Sequence, residues 1–244
     1  MVSASAFATL LEHPASPVRQ ALPDPFVRRA LMGLAMALTA VLLIYYPGGQ
    51  RSGAHYNPAV TLTFFRLGKV SRHDLVGYIA AQFVGGALGM TVAGLALGPL
   101  LANASVHYVA TRPGMQGTLV AFTAEIGITA LLMSVVLTVS NQPRIARFTG
   151  LCAGACVALF ITFEAPLSGM SMNPARTFAS ALAAHDWTAL WIYFFAPPIG
   201  MLLAATVYTT LKGRSRVTCA KLQHSSGHRC IFCEYQKAKI ASGR

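Results

Sequence analysis

The sequence predicts an all-α membrane protein, a bundle of spanning helices interrupted by two re-entrant half-helices. Three observations carry that prediction. The chain is 55% hydrophobic and 11% charged, whereas soluble domains carry about 25% charged residues. Its apolar segments repeatedly reach the roughly 20 residues that a helix needs to cross a bilayer. A polar stretch, Ser52-Gly53-Ala54-His55-Tyr56-Asn57-Pro58-Ala59, returns as Ser168-Gly169-Met170-Ser171-Met172-Asn173-Pro174-Ala175, and the two asparagines stand 116 positions apart. Both copies read Ser-Gly-x-x-x-Asn-Pro-Ala, and each lies between apolar segments.

Asn-Pro-Ala has a physical meaning. Proline suits the first position of a helix, where its missing N–H is not needed. Asparagine immediately before it is a good N-cap. Short helices are therefore expected to begin at Pro58 and Pro174, each presenting free N–H groups and partial positive charge at its N-terminus. If the two enter the membrane from opposite sides and meet at the midplane, the Asn57 and Asn173 amides offer donors to a passing solute. Irregular backbone at that depth is tolerated only where it lines a wet path or is buried in protein. The alternative, two ordinary caps in surface loops, does not account for Ser-Gly recurring at the same offset in both copies.

On these residues the chain resembles the aquaporin (major intrinsic protein) family, whose signature is the paired Asn-Pro-Ala box with an arginine directly after the second, here Arg176. The resemblance runs from about residue 28 to residue 211. It implies a right-handed bundle of spanning helices around the two half-helices, a passive pore and a homotetramer with one pore per subunit. It also implies that an arginine and the opposed half-helix dipoles keep out protons and cations.

Taken in order, residues 1–11 are apolar but too short to cross a bilayer. The family pattern implies a full first helix here with a buried glutamate near its start, so the first helix reads as truncated and an upstream portion is expected. Residues 12–28 form a proline-rich connection. Residues 29–46 span, followed by the first half-helix at about 58–67. Residues 74–100 span next. Their Gln82 is a polar residue in a membrane helix, expensive unless bonded, and is expected to make a structural helix–helix hydrogen bond. Residues 118–140 span with Glu125 inside, a costly carboxylate unless satisfied. The resemblance implies that Glu125 braces the second half-helix loop by accepting from its backbone, rather than carrying protons. Residues 148–164 span, with Cys152 and Cys156 as packing residues. The second half-helix is expected at about 174–184, and a last span at 187–211 opens on Trp187, Trp191 and Tyr193 as interfacial aromatics.

The resemblance also implies a second constriction built from four positions. Counting without gaps from the boxes gives Ala37, Ile161, Met170 and Arg176. Water-selective members carry a histidine at the Ile161 position and a bulky aromatic at the Ala37 position, and both are absent. The ring reads as wide and apolar, open to small uncharged solutes larger than water. Against a standard glycerol channel, Thr177 stands where glycerol members have an aspartate, so the solute stays open.

Residues 212–244 hold eight of the 19 Lys and Arg and one acid, Glu234. A basic tail beside a membrane segment reads as cytoplasmic, facing anionic lipid rather than nucleic acid. The basic loops at 66–72 and 144–147 fall on the same side, and Arg28 and Arg29 on the other. The tail also carries Cys219, His224, His228, Cys230 and Cys233, the ligand types of a zinc site in a spacing that matches no standard finger. The other reading is a basic tail of reduced thiols. The expected organisation is a channel domain over 1–211 and a Cys/His-containing tail over 212–244. The expected function is passive passage of water or small uncharged solutes without a cofactor. The alternatives are a truncated, non-conducting scaffold and a metal- or redox-responsive membrane protein. No nucleophile–base pair, phosphate loop or cofactor motif points to an enzyme.

Overall fold

A computed structural model describes residues 1–224 and 230–241. His228 lies outside the described residues. The described residues form α1 (Val2–Glu12), α2 (Pro17–Ala21), α3 (Pro25–Tyr45), α4 (Pro47–Ser52), α5 (Pro58–Arg66), α6 (Arg72–Leu97) and α7 (Pro99–Ala102), then α8 (Thr118–Ser140), α9 (Thr149–Phe163), α10 (Ala165–Ser168), α11 (Pro174–Ala184), α12 (Leu190–Lys212) and α13 (Ile231–Ala241). Five helices are long and apolar enough to cross a membrane: α3, α6, α8, α9 with the turn before it, and α12. α1 has 11 residues, a rise of about 16 Å and roughly half a hydrocarbon core.

The two halves of the bundle pack in a matching pattern. α3 lies along α9, and α8 along α12. Each half-helix is carried by a long helix of the opposite half, α11 by α6 and α5 by α12. Glycines set these approaches. A Cβ at Gly33 would lie 2.6 Å from the Ala158 carbonyl oxygen, and one at Gly154 would lie 2.7 Å from Val41 Cγ2. A Cβ at Gly200 would drive into Thr129 and the Ile126 carbonyl on α8. Small residues of this kind let membrane helices pack closely without a hydrophobic driving force.

The ends of the bundle are distinct. At one end Arg214 Nη2 donates to the Arg66 carbonyl at 2.7 Å, Thr218 N donates to Asn141 Oδ1 at 2.7 Å, and Tyr45 Oη donates to the Arg147 carbonyl at 2.5 Å. The basic loops and the tail therefore share one face. At the other end Ser105 Oγ donates to the Glu12 carbonyl at 2.8 Å, and Arg112 and His107 both reach Asp186. Arg28, also at this end, is buried and pairs with Glu12 at 3.2 Å while donating to the Leu22 and Pro23 carbonyls. It is a structural clamp on the 12–24 connection.

The first span begins at Pro25, not 29, and two expectations about the last span are corrected. The last span begins at Leu190, not 187. Tyr193 is not an interfacial aromatic: it is fully buried and donates to the Ser168 carbonyl at 2.5 Å, whereas Trp187 and Trp191 are half exposed.

Gly200→Ala is expected to force α8 and α12 apart, at a cost of about 1–3 kcal/mol, and so lower the thermal midpoint in detergent. Gly127→Ala, on α8 with nothing within 4 Å of its Cβ, is expected to leave the midpoint in place. Equal behaviour of the two variants would contradict the packing described here.

Candidate functional site

The site is built by the two repeated stretches. In each, the serine closes a short helix and the glycine turns the chain with positive φ, +80° at both Gly53 and Gly169. A side chain at Gly169 would meet the Arg112 backbone at 3.0 Å in a conformation that non-glycine residues rarely adopt. The turn continues through left-handed residues, Ala54 in the first copy and Met170 and Met172 in the second, before an extended asparagine with φ of −147° at both Asn57 and Asn173. Each asparagine caps its half-helix: Asn57 Oδ1 accepts from Ala59 N at 2.9 Å, and Asn173 Oδ1 accepts from Ala175 N at 3.1 Å and Arg176 N at 3.3 Å.

The amide nitrogens cross. Asn57 Nδ2 donates to the Met172 carbonyl at 2.7 Å, and Asn173 Nδ2 donates to the Tyr56 carbonyl at 2.9 Å. Each half-helix tip is thereby pinned to the other loop. An amide nitrogen carries two hydrogens, so each retains one donor beyond this cross-tie.

Glu125 is fully buried under the second loop. Its Oε1 accepts from Ser171 N at 2.6 Å and Ser168 Oγ at 2.9 Å, and its Oε2 accepts from Met172 N at 2.8 Å. A carboxylate meets both donors of an irregular loop that has no helical partners to offer. Gln82 serves the first loop, donating from Nε2 to Thr61 Oγ1 at 3.0 Å and to the His55 carbonyl.

A cavity of about 490 Å³ runs past the asparagines. Its wall includes Asn57, Asn173, Ile161, Met170, Arg176 and a stripe of α3 made of Arg29, Met32, Met36, Ala40 and Ile44. Arg176 Nη1 is buried with no partner among the protein atoms, a donor held for whatever occupies the cavity. Ala37 does not line it. Its carbonyl packs toward Gly154 of α9, and the α3 residue one position earlier, Met36, faces the cavity instead. Met32 and Met36 thus give α3's side of the cavity two flexible thioethers. A second cavity, of about 830 Å³, opens between α3 and α6 and meets the first at Met1, Tyr56, Asn173 and Arg176.

Glu164 was not singled out in the sequence. It lies just beyond α9, is 8% exposed, and has Ser168 as its nearest hydroxyl partner without a well-formed hydrogen bond. An acid closing an apolar span was the available signal.

Glu125→Gln replaces one acceptor oxygen by a donor that faces an N–H. The orphaned loop donor is expected to cost about 1–3 kcal/mol, a fall of about 2–10 °C in the thermal midpoint. An unchanged midpoint would show that the loop does not depend on the carboxylate.

Comparison with known proteins adds the family. Residues 7–208 match the family model described as Major intrinsic protein. The chain is 37% identical over 174 residues to "Aquaporin NIP1-3" of Oryza sativa subsp. japonica, covering 71% of this chain and 59% of the relative. It is 35% identical over 191 residues to "Aquaporin NIP3-1" of Arabidopsis thaliana, covering 76% of this chain and 59% of the relative. The chain thus spans less than two thirds of the length of these relatives. Among solved structures, the aquaglyceroporin from Plasmodium falciparum superposes with a TM-score of 0.66 at 19% identity, covering 85% of this chain and 89% of that one. That likeness establishes the fold.

Proposed function

The chain belongs to the major intrinsic protein family, and from that premise we propose that it is a passive channel for water and small uncharged solutes of the glycerol type, closed to protons and ions. The observation that carries the reading is the cavity itself, which gathers both cross-tied asparagines and the unpartnered Arg176 donor along one apolar wall. A solute threading it exchanges bulk water for a few donors on one side and methionine and isoleucine on the other. Arg176 repels cations. Two opposed half-helix N-termini orient any water between them so that a hydrogen-bonded chain cannot relay a proton through the midplane. No step breaks a covalent bond, and the reading makes the protein a channel rather than an enzyme.

The basic end is read as cytoplasmic. Arg66, Lys69, Arg72, Arg144, Arg147 and the tail share it, and the positive-inside rule assigns it to that side. Arg28 and Arg29 count less against this orientation than their charges imply, because Arg28 is paired and Arg29 lines the cavity. By likeness to the family the assembly is read as a homotetramer.

A second reading, a non-conducting scaffold, is favoured by the larger cavity, which exposes Asn173 and Arg176 sideways between α3 and α6. Osmotic swelling of proteoliposomes in sucrose and in glycerol separates the two. The channel reading expects fast water flux and measurable glycerol entry above empty liposomes, and the scaffold reading expects neither. Ile161→His is expected to lower glycerol entry relative to water severalfold by adding bulk and a polar partner, and Met36→Ala to raise it. A glycerol-to-water ratio unmoved by both substitutions would show that these residues do not form the constriction.

A further inference from the structure

The described part of the tail is built into the base of the bundle. Val217, Cys219, Ala220, Leu222 and Phe232 are buried in the same apolar cluster as Phe64 of α5, Leu67 just beyond it and Met201 of α12. His55 Nε2 lies 2.6 Å from the Ala220 carbonyl oxygen, and its ring stacks with Phe64 and Phe232 at 5.1 and 5.4 Å. Leu222 N donates to the Gly53 carbonyl at 3.2 Å, inside the first repeated stretch. Leu222 is among the residues lining the same cavity as Asn57 and Asn173. A segment with no regular structure thus reaches the cavity from the basic end.

What fastens that segment is a cluster of four side chains. Sγ of Cys219, Cys230 and Cys233 and a ring nitrogen of His224 all lie within 4.8 Å of one another. Cys219 Sγ is 3.4 Å from Cys230 Sγ and 3.7 Å from Cys233 Sγ, and His224 Nε2 is 3.0 Å from Cys233 Sγ. A tetrahedron with Zn–S bonds of about 2.3 Å has S···S edges of about 3.8 Å, so the widest-spaced donors need to close by about 1 Å around an ion. Lys221 N donates to Cys219 Sγ at 3.4 Å, so the sulfur already accepts one backbone hydrogen bond. Three thiolates, a neutral imidazole and a divalent ion leave one net negative charge, set among the basic residues of the tail. Soft sulfur donors select zinc over the hard oxygen-seeking cations.

We propose that Cys219, His224, Cys230 and Cys233 form a tetrahedral zinc site, and that the ion fastens residues 217–224 beneath the first half-helix with Leu222 closing the basic end of the cavity. The closure rests on the channel reading above; the metal site does not. Metal binding is then coupled to how open the pore is, since the ion draws together the half of the site on 219–224, which carries Leu222, and the half on 230–233, which packs through Phe232.

The test uses the full chain in detergent, stripped of metal under reducing conditions and titrated with cobalt. One equivalent is expected to produce the thiolate-to-cobalt charge-transfer absorption and to be displaced by zinc. His224→Ala, at an exposed position, is expected to weaken cobalt binding by about tenfold or more, and His224→Cys to restore it. With zinc, amide exchange over 217–223 is expected to slow. Absence of the charge-transfer band, or an intact mass two hydrogens short for a Cys219–Cys230 disulfide, would overturn the site. Metal binding with unchanged exchange over 217–223 would overturn the fastening. In proteoliposomes, zinc is expected to slow water flux in the wild type and leave His224→Ala unaffected; equal flux with and without zinc would overturn the closure alone. Flux in neither state would sink the channel reading together with the closure, while the cobalt band decides the metal site independently.

Discussion

The cross-tie between Asn57 and Asn173 is the interaction on which the rest of the structure depends. Each side chain caps its own half-helix through Oδ1 and binds the opposite loop through Nδ2. Neither half-helix is long enough to hold its place by itself, at 9 and 11 residues, so the two tips are positioned by each other. The glycine turns before them, the carriers α6 and α12 behind them and the braces Glu125 and Gln82 beside them all keep two irregular loops at a depth where unsatisfied backbone costs several kcal/mol per group.

The braces show how differently one problem is solved in the two halves. The second loop presents backbone N–H groups inward, and a buried carboxylate accepts two of them with a serine hydroxyl. The first loop presents a carbonyl and a threonine hydroxyl, and an amide nitrogen donates to both. Burying Glu125 would be prohibitive without such donors, so its presence and the loop's shape imply each other. On the first loop, the tail adds a further layer: Ala220 and Leu222 pair with His55 and Gly53.

Those features that rest on local chemistry were legible in the sequence. An asparagine cap followed by proline favours a helix start, and both half-helices begin at the proline. Span lengths follow from hydropathy, and the spans from Thr118 and Thr149 begin within a residue of expectation. Ala37 lies off the cavity wall because a residue's face on a helix turns by about 100° per position, and a count from Asn57 crosses α4, whose geometry cannot be read from spacing. One step moves the wall from Met36 to Ala37 and from the cavity to Gly154. Tyr193 misled for a related reason: its hydroxyl has a partner inside the bundle, the Ser168 carbonyl, that only the fold supplies. The tail's burial was illegible because its partners, Phe64 and His55, lie more than 150 positions earlier.

The account's central claim is that opposed half-helix tips beside Arg176 pass water while breaking proton transfer. The most direct test is a paired measurement on one batch of proteoliposomes: osmotic water flux by light scattering, and collapse of an imposed pH gradient followed by an internal dye. The account predicts water flux well above that of empty liposomes, with a proton leak no faster than theirs. Proton leak rising in step with water flux would contradict it, because a continuous hydrogen-bonded chain would then run unbroken past the asparagines.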